Sequence, residues 1–162
     1  MRSFAQWAVL AAMVVPLALS LAGLPRVARA ASDPFVGTWV LDPQHSRYES
    51  AEVPRQMVIV MSPAGEGIHY RSQTTLSNGR IVSSEYTADY EGGLAIVVGS
   101  AGIMAPVSLR RVDDRTVVCS YMKGIRTVAT SRRVVSANGS TLTITTEDGT
   151  TGTNLAVFNK RE

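Results

Sequence analysis

Along residues 31–162 apolar and polar side chains alternate in short runs separated by turn-forming pairs. In residues 68–76, Ile68, Tyr70, Ser72, Thr74 and Leu76 fall on one side of a period-two pattern, and His69, Arg71, Gln73 and Thr75 on the other. In residues 81–90, Val82, Ser84, Tyr86, Ala88 and Tyr90 alternate in the same way with Ser83, Glu85, Thr87 and Asp89. Period two marks a half-buried β-strand, because successive side chains leave a pleated strand on opposite faces. One face of each run therefore carries the ions, and the other carries aromatics mixed with small hydroxyls. Val117, Cys119 and Tyr121 share a face by the same count, as do Leu142, Ile144 and Thr146. The breaks include Ala64-Gly65-Glu66-Gly67, Asn78-Gly79, Gly92-Gly93, Asp113-Asp114, Lys123-Gly124, Asn138-Gly139 and Asp148-Gly149. Asn-Gly and Asp-Gly tolerate the positive φ angles that tight hairpin turns require.

The pattern predicts about ten strands, over residues 36–41, 56–62, 68–76, 81–90, 94–98, 105–112, 115–122, 125–136, 140–147 and 152–160. No segment after Ala31 has a 3.6-residue apolar period; the one candidate for a short helix is residues 43–54, between two prolines. The fold class is all-β. Short strands joined in sequence by tight turns favour an antiparallel up-and-down meander of about eight to ten strands, and closing it into a barrel removes its exposed edges. A two-sheet sandwich satisfies the same local pattern. Gly99-Ser100-Ala101-Gly102-Ile103-Met104-Ala105 is the least strand-like part of the second half, and reads either as an irregular connection or as a loop at the barrel mouth that gates its interior.

The inward face is rich in Tyr, Ser and Thr, where a purely structural core is mostly Leu, Ile, Val and Phe. Barrels of eight to ten strands are near the size at which the interior holds one small ligand. Ile59, Tyr70, Tyr86, Tyr90 and Tyr121 are the candidate lining, each tyrosine offering an apolar ring and one hydroxyl. The competing reading is that the same rings fill the interior. An enclosed void of several hundred cubic ångströms separates the two.

Residues 1–30 form a separate unit in sequence. Arg2 precedes an uncharged stretch from Phe4 to Leu24, then Pro25, Arg26 and Ala28-Arg29-Ala30. A basic start, an apolar middle and small residues before a cleavage point are the parts of a secretory signal peptide. The expectation is a signal-peptide helix over residues 1–30, cleaved after Ala30, and a mature domain of residues 31–162 that is exported to the periplasm or the exterior. The alternative is a retained N-terminal anchor, since the apolar run is just long enough to span a bilayer. Cleavage removes Arg2, Arg26 and Arg29. The full chain's 16 basic and 13 acidic residues, net +3, thereby become a balanced mature domain. A nucleic-acid binder carries a basic stripe, so nucleic acid is not an expected partner, and after cleavage neither is a membrane. Arg110-Arg111 and Arg132-Arg133 read as solvated strand faces or ends. The sequence sets no oligomeric state.

The catalytic inventory is thin. His45 and His69 belong to no metal-binding spacing. Asp42 and His45 sit three apart, and read either as a local pair or as turn and cap residues. The single Cys119 rules out an intrachain disulfide framework and reads as a buried, inert thiol. Residues 31–162 contain no nucleophile elbow, phosphate loop or dinucleotide fingerprint. No enzyme activity, cofactor or metal is expected.

Gly37-Thr38-Trp39, near the start of the mature domain, resembles the opening signature of lipocalins and related calycin barrels. That resemblance implies a lipocalin- or fatty-acid-binding-protein-like barrel in which Trp39 closes one end against a basic residue of the last strand, Lys160 or Arg161. With Asp113-Asp114-Arg115-Thr116-Val117 and Asn154-Leu155-Ala156-Val157-Phe158, the mature chain also resembles the bacterial exported lipocalin-like proteins. The resemblance implies reversible binding of a small hydrophobic or amphipathic ligand. The terminal Arg-x-Tyr with which fatty-acid-binding proteins hold a carboxylate is absent, so a fatty acid is not the expected ligand. A shorter stretch, Leu41-Asp42-Pro43-Gln44-His45-Ser46, resembles the opening of the YceI-like family and implies polyisoprenoid binding. A ligand-free structural or interaction barrel of the cell envelope is the remaining alternative.

Overall fold

The computed structural model describes residues 32–49, 53–100, 102–149 and 152–162; the expected signal peptide and its cleavage point lie outside them. The described residues form ten strands: β1 (Gly37–Arg47), β2 (Pro54–Ala64), β3 (Gly67–Leu76), β4 (Ile81–Asp89), β5 (Glu91–Gly99), β6 (Gly102–Asp113), β7 (Thr116–Lys123), β8 (Arg126–Val135), β9 (Thr141–Asp148) and β10 (Gly152–Arg161). Each pairs antiparallel with its sequence neighbours, and β1 pairs with β10, so the meander is a closed barrel and not a sandwich. Closure runs through Trp39, which lies opposite Ile59 on β2 and Lys160 on β10. Where β3 begins, Gly67 meets the end of β4 so closely that a Cβ would run into the Ala88 carbonyl.

Two expectations fail, for local reasons. Residues 43–54 do not start a helix, because β1 continues to Arg47. The Asp42 carboxylate accepts the backbone N–H groups of Gln44 at 3.1 Å and His45 at 3.3 Å, and the register with β10 slips between Asp42 and Arg47. Such a slip is a bulge, which absorbs extra residues without ending the strand. Ser46 then accepts from the Val157 amide at 2.9 Å and holds the strand onto β10. The gating loop expected at residues 99–105 is also absent. Gly99 pairs with Gly102, so a tight hairpin joins β5 and β6 and the segment is strand on both sides of it.

The two ends of the barrel differ. At the end where β1 begins, Phe35, Trp39, Ile59, Leu109, Leu142 and Phe158 are fully buried. Trp39 Nε1 donates to the Phe35 carbonyl at 2.8 Å. Asp33 secures the plug: Arg111 Nη2 donates to its Oδ2 at 2.6 Å, the Tyr90 hydroxyl donates to the same oxygen at 2.8 Å, and the Phe35 amide donates to Oδ1 at 3.0 Å. Arg111 lies 3.9 Å from the Tyr90 ring centre, a cation–π contact. Arg111 is thus half-buried and paired, not the solvated residue that the sequence suggested. At the opposite end the inward side chains of Met57, Thr74, Val82, Ser84, Tyr121 and Ala129 are only partly buried.

Candidate ligand-binding site

Tyr70 and Tyr86 face each other across the β3–β4 ladder, and both point inward. Their rings stack at 4.7 Å with 13° between planes. Above them lies Arg133 of β8, which donates from Nη1 to the Tyr86 hydroxyl at 2.7 Å and sits 5.2 Å from the Tyr70 ring centre. Arg133 is 3% exposed. Among the described residues its Nε–H has no acceptor, and neither does the hydroxyl of Ser131, which shares its face of β8 and is fully buried. No ion pair among the described residues involves Arg133. Cys119, directly opposite Ser131 on β7, is buried as the alternation implied.

Among the described residues no carboxylate pairs with this guanidinium. Burial pushes the Tyr70 phenol up to about 12, with Arg133 pulling it back only in part. Burial likewise raises Tyr86 well above its ordinary value. Both phenols are therefore neutral at physiological pH, whereas arginine stays protonated. A hydrogen bond to a phenol and the π-face of a ring offset part of the cost of a buried charge, but a lone buried ion still carries a penalty of several kcal/mol. The arrangement is chemically suited to an anion.

Tyr70 has a consequence of its own. Above pH 10 the unfolded phenol ionises, while the folded one holds its proton to about 12. The folded state then binds more protons, so stability falls with rising pH through this window, by up to about 1.4 kcal/mol per pH unit for one group. The urea midpoint is expected to drop between about pH 10 and pH 12, and to drop less in Tyr70→Phe. Equal drops in the two proteins would show that the Tyr70 phenol is not the group responsible.

The other sequence candidates are dispersed. Ile59 belongs to the packed end beside Trp39. Tyr121 is half-buried on β7, near enough to influence the ionisation of Tyr70 and Tyr86. Tyr90 is not brought to this cluster; Asp33 and Arg111 hold it in the end plug. At the barrel end the cation over Trp39 is Lys160, with Nζ 5.0 Å from the ring centre. Arg161 is opposite Thr38, one residue out of phase, and is exposed. Arg133 was misassigned as solvated, although the parity of β8 contained the signal. Ser131, Arg133 and Val135 share one face, so only Arg132 of the arginine pair can point out.

One pocket is an open groove on the flank of the barrel. It has a volume of about 950 Å³ and spans the outer faces of β2 to β5, past Val58, Val60, Ile96 and Val98. It also reaches the inward-facing Ser72, Ser84 and Tyr86. His69 and Arg71 sit on its outer floor, where both pair with Glu85, at 3.4 and 3.3 Å. Asp42 and His45 form a separate surface pair at 2.8 Å. Among the described residues no group of three His, Cys, Asp or Glu side chains is placed to hold a metal ion.

No family model matches the sequence, and no curated protein matches it either. Among solved structures the chain is similar to zebrafish ileal bile acid-binding protein complexed with cholic acid. The TM-score is 0.50 at 13% identity, over 80% of this chain and 98% of that one. The likeness establishes a shared fold, a ten-strand barrel of the fatty-acid-binding-protein type.

Proposed function

We propose that the barrel reversibly binds one small amphipathic molecule, with an anionic group of the ligand against Arg133 and its apolar part against the tyrosines and the partly filled end. The observation that carries this reading is the buried guanidinium with an unused Nε–H, no carboxylate partner among the described residues, and the unpartnered Ser131 hydroxyl on the same face. A carboxylate, sulfonate or sulfate accepts two N–H bonds from a guanidinium, in its plane, and charge-assisted bonds of this kind are about twice as strong as neutral ones. The zebrafish barrel of the same fold is itself complexed with cholic acid, an amphipathic acid. An uncharged polyisoprenoid fits less well, because it leaves Arg133 without a counter-ion.

The reading is binding and not catalysis, since the tyrosines are held neutral and the only thiol is buried. It includes export, with residues 1–30 removed and the mature protein in the periplasm or outside the cell. A second reading, a ligand-free structural barrel, draws on the close packing at the Trp39 end. Native mass spectrometry of protein purified from its own host tests both. The expected species is a chain beginning at Ala31 that carries one acidic small molecule, lost on denaturation. A bare chain that also takes up no dansylaminoundecanoate would leave the structural barrel standing, and a chain retaining residues 1–30 would refute cleavage.

A further inference from the structure

Two Asn-Gly pairs stand at hairpin turns of the barrel, Asn78-Gly79 between β3 and β4 and Asn138-Gly139 between β8 and β9. The two turns share their core. Both asparagines are exposed. Each glycine has a positive φ, 84° at Gly79 and 72° at Gly139. Each donates its amide to the carbonyl three residues back, Leu76 or Ser136, at 2.9 Å. Each asparagine oxygen accepts the amide two residues on, from Arg80 at 2.9 Å or from Ser140 at 3.2 Å. An amide N–H can bond only to the oxygen of a carboxamide, so these bonds also fix which side-chain atom is Oδ1.

The side chains around the two oxygens differ. Asn138 Oδ1 accepts two further bonds, from the Ser136 hydroxyl at 2.6 Å and from the Ser140 hydroxyl at 2.8 Å. Ser136 Oγ is itself held in place by the Thr141 amide, which donates to it at 3.0 Å. At the other turn the residues two before and two after the asparagine are Leu76 and Arg80. Among the described residues Asn78 Oδ1 accepts the Arg80 amide alone. Donors converging on one carbonyl oxygen act as an oxyanion hole, because they hold the negative charge that reaches the oxygen when its carbon is attacked. A nucleophile is adjacent in the chain: the Gly139 nitrogen, with no side chain beside it to hinder ring closure. That nitrogen must first leave the Ser136 carbonyl, but Gly79 is restrained in the same way, so the restraint does not separate the two turns.

We infer that Asn138 is a self-modification site, at which the barrel converts its own carboxamide to a carboxylate through a cyclic imide. The Gly139 nitrogen gives its proton to water and attacks Cγ of Asn138, forming the N–Cγ bond and placing the charge on Oδ1 beneath the two serine hydroxyls. The Cγ–Nδ2 bond then breaks, and Nδ2 takes a proton from water and leaves as ammonia. A water molecule opens the imide on one side of its nitrogen. Opening at Cγ gives an ordinary aspartyl residue. Opening at the main-chain carbonyl gives an iso-aspartyl linkage, with an extra carbon in the backbone. Nothing is oxidised or reduced, and water is the only co-reactant. The turn is also tied to the closing strand, since the Lys160 amide donates to the Ser140 carbonyl at 2.8 Å. A lengthened main chain at this point loosens the hold of the turn on β10. The inference is independent of any ligand.

The protein and its variants are incubated at neutral pH and physiological temperature, and peptide mapping by mass spectrometry follows both asparagines. In the folded protein Asn138 is expected to convert at least about fivefold faster than Asn78, less than one donor commands in a water-excluded site because the turn is exposed. In urea, where each asparagine is simply followed by glycine, the two rates are expected to converge. Ser140→Ala, which leaves the bond between Ser136 and Thr141 intact, is expected to slow Asn138 about threefold, and Ser140→Thr to restore the rate. Ser136→Ala/Ser140→Ala is expected to bring Asn138 down to the rate of Asn78. Unchanged or faster conversion in the folded double variant would overturn the inference. So would equal rates at the two turns of the folded wild type, or a difference that persists in urea. The iso-aspartyl form, separated by chromatography, is expected to have a lower urea midpoint than the aspartyl form, and equal midpoints would overturn the link to β10.

Discussion

Arg133→Met is expected to make the protein more stable and worse at binding, both by large amounts. In the free barrel the guanidinium is buried, bonded to one phenol, and lacks an acceptor at Nε. Replacing a buried ion by an apolar side chain of similar volume is neutral or stabilising by about 1–4 kcal/mol. For a domain of this size the upper part of that range is a rise of roughly 5–10 °C in Tm. Binding moves the other way. The anionic group loses two charge-assisted hydrogen bonds, each worth about 1.5–3 kcal/mol, so affinity for dansylaminoundecanoate falls at least about a hundredfold. Thermal melts and fluorescence titrations on the same preparation read both effects. A protein that loses stability while keeping its affinity would mean that Arg133 is a structural strut and that the anion site is elsewhere.

Arg133→Lys sharpens the reading. Lysine keeps the charge but gives up the planar pair of donors that matches a carboxylate. Affinity is expected to fall by about tenfold and not a hundredfold, with Tm near that of the wild type. Binding of a neutral analogue, such as the methyl ester of the probe, is expected to differ little between Arg133→Met and wild type.

Much of the barrel was legible in the chain because its causes are local. Period-two alternation, Asn-Gly and Asp-Gly turns and the lack of helical spacing depend on near neighbours, and they marked nine of the ten strands to within three residues at each end. What escaped depends on non-local pairing. The extension of β1 through Asp42–Arg47 requires a bulge opposite β10, a strand more than a hundred residues away. The 99–105 segment is rich in small residues, which read as a loop, yet the same smallness lets Gly99 approach Ser83 and close a hairpin. Under Arg133, Tyr70 and Tyr86 were placed on the inward face because both obey the alternation. Arg133 was missed because charge was allowed to override the same alternation. Tyr90 was misplaced for a different reason. It follows the parity of β4, but it stands past the last ladder residue, Asp89, where the chain turns and Asp33 captures its hydroxyl.

Trp39→Ala is expected to cost more stability than any other single change outside the ligand cluster. Trp39 is fully buried where β1 joins both β2 and β10, so its ring packs at the point that closes the barrel. Truncating a buried tryptophan to alanine costs about 3–5 kcal/mol, partly as lost transfer energy and partly as an unfilled cavity. Against a typical domain stability of about 5–15 kcal/mol, that is a large share. Trp39→Phe separates the ring's bulk from its hydrogen bond. Phenylalanine fills much of the space, but the Phe35 carbonyl loses the donor that Nε1 supplies at 2.8 Å, so a cost of about 1–3 kcal/mol is expected. Lys160→Met gives up an exposed cation–π contact worth about 0.5–1 kcal/mol, whereas Arg161→Ala is expected to stay within about 0.5 kcal/mol of wild type, as exposed residues without such contacts do. The ordering Trp39→Ala, Trp39→Phe, Lys160→Met, Arg161→Ala is the signature of an end closed by a ring, held from inside by a carbonyl and covered from outside by one cation. Urea denaturation gives the order directly. A cost for Arg161→Ala equal to that of Lys160→Met would show that the last strand sits one residue out of the register described, because a one-residue slip moves every side chain of β10 to the other face.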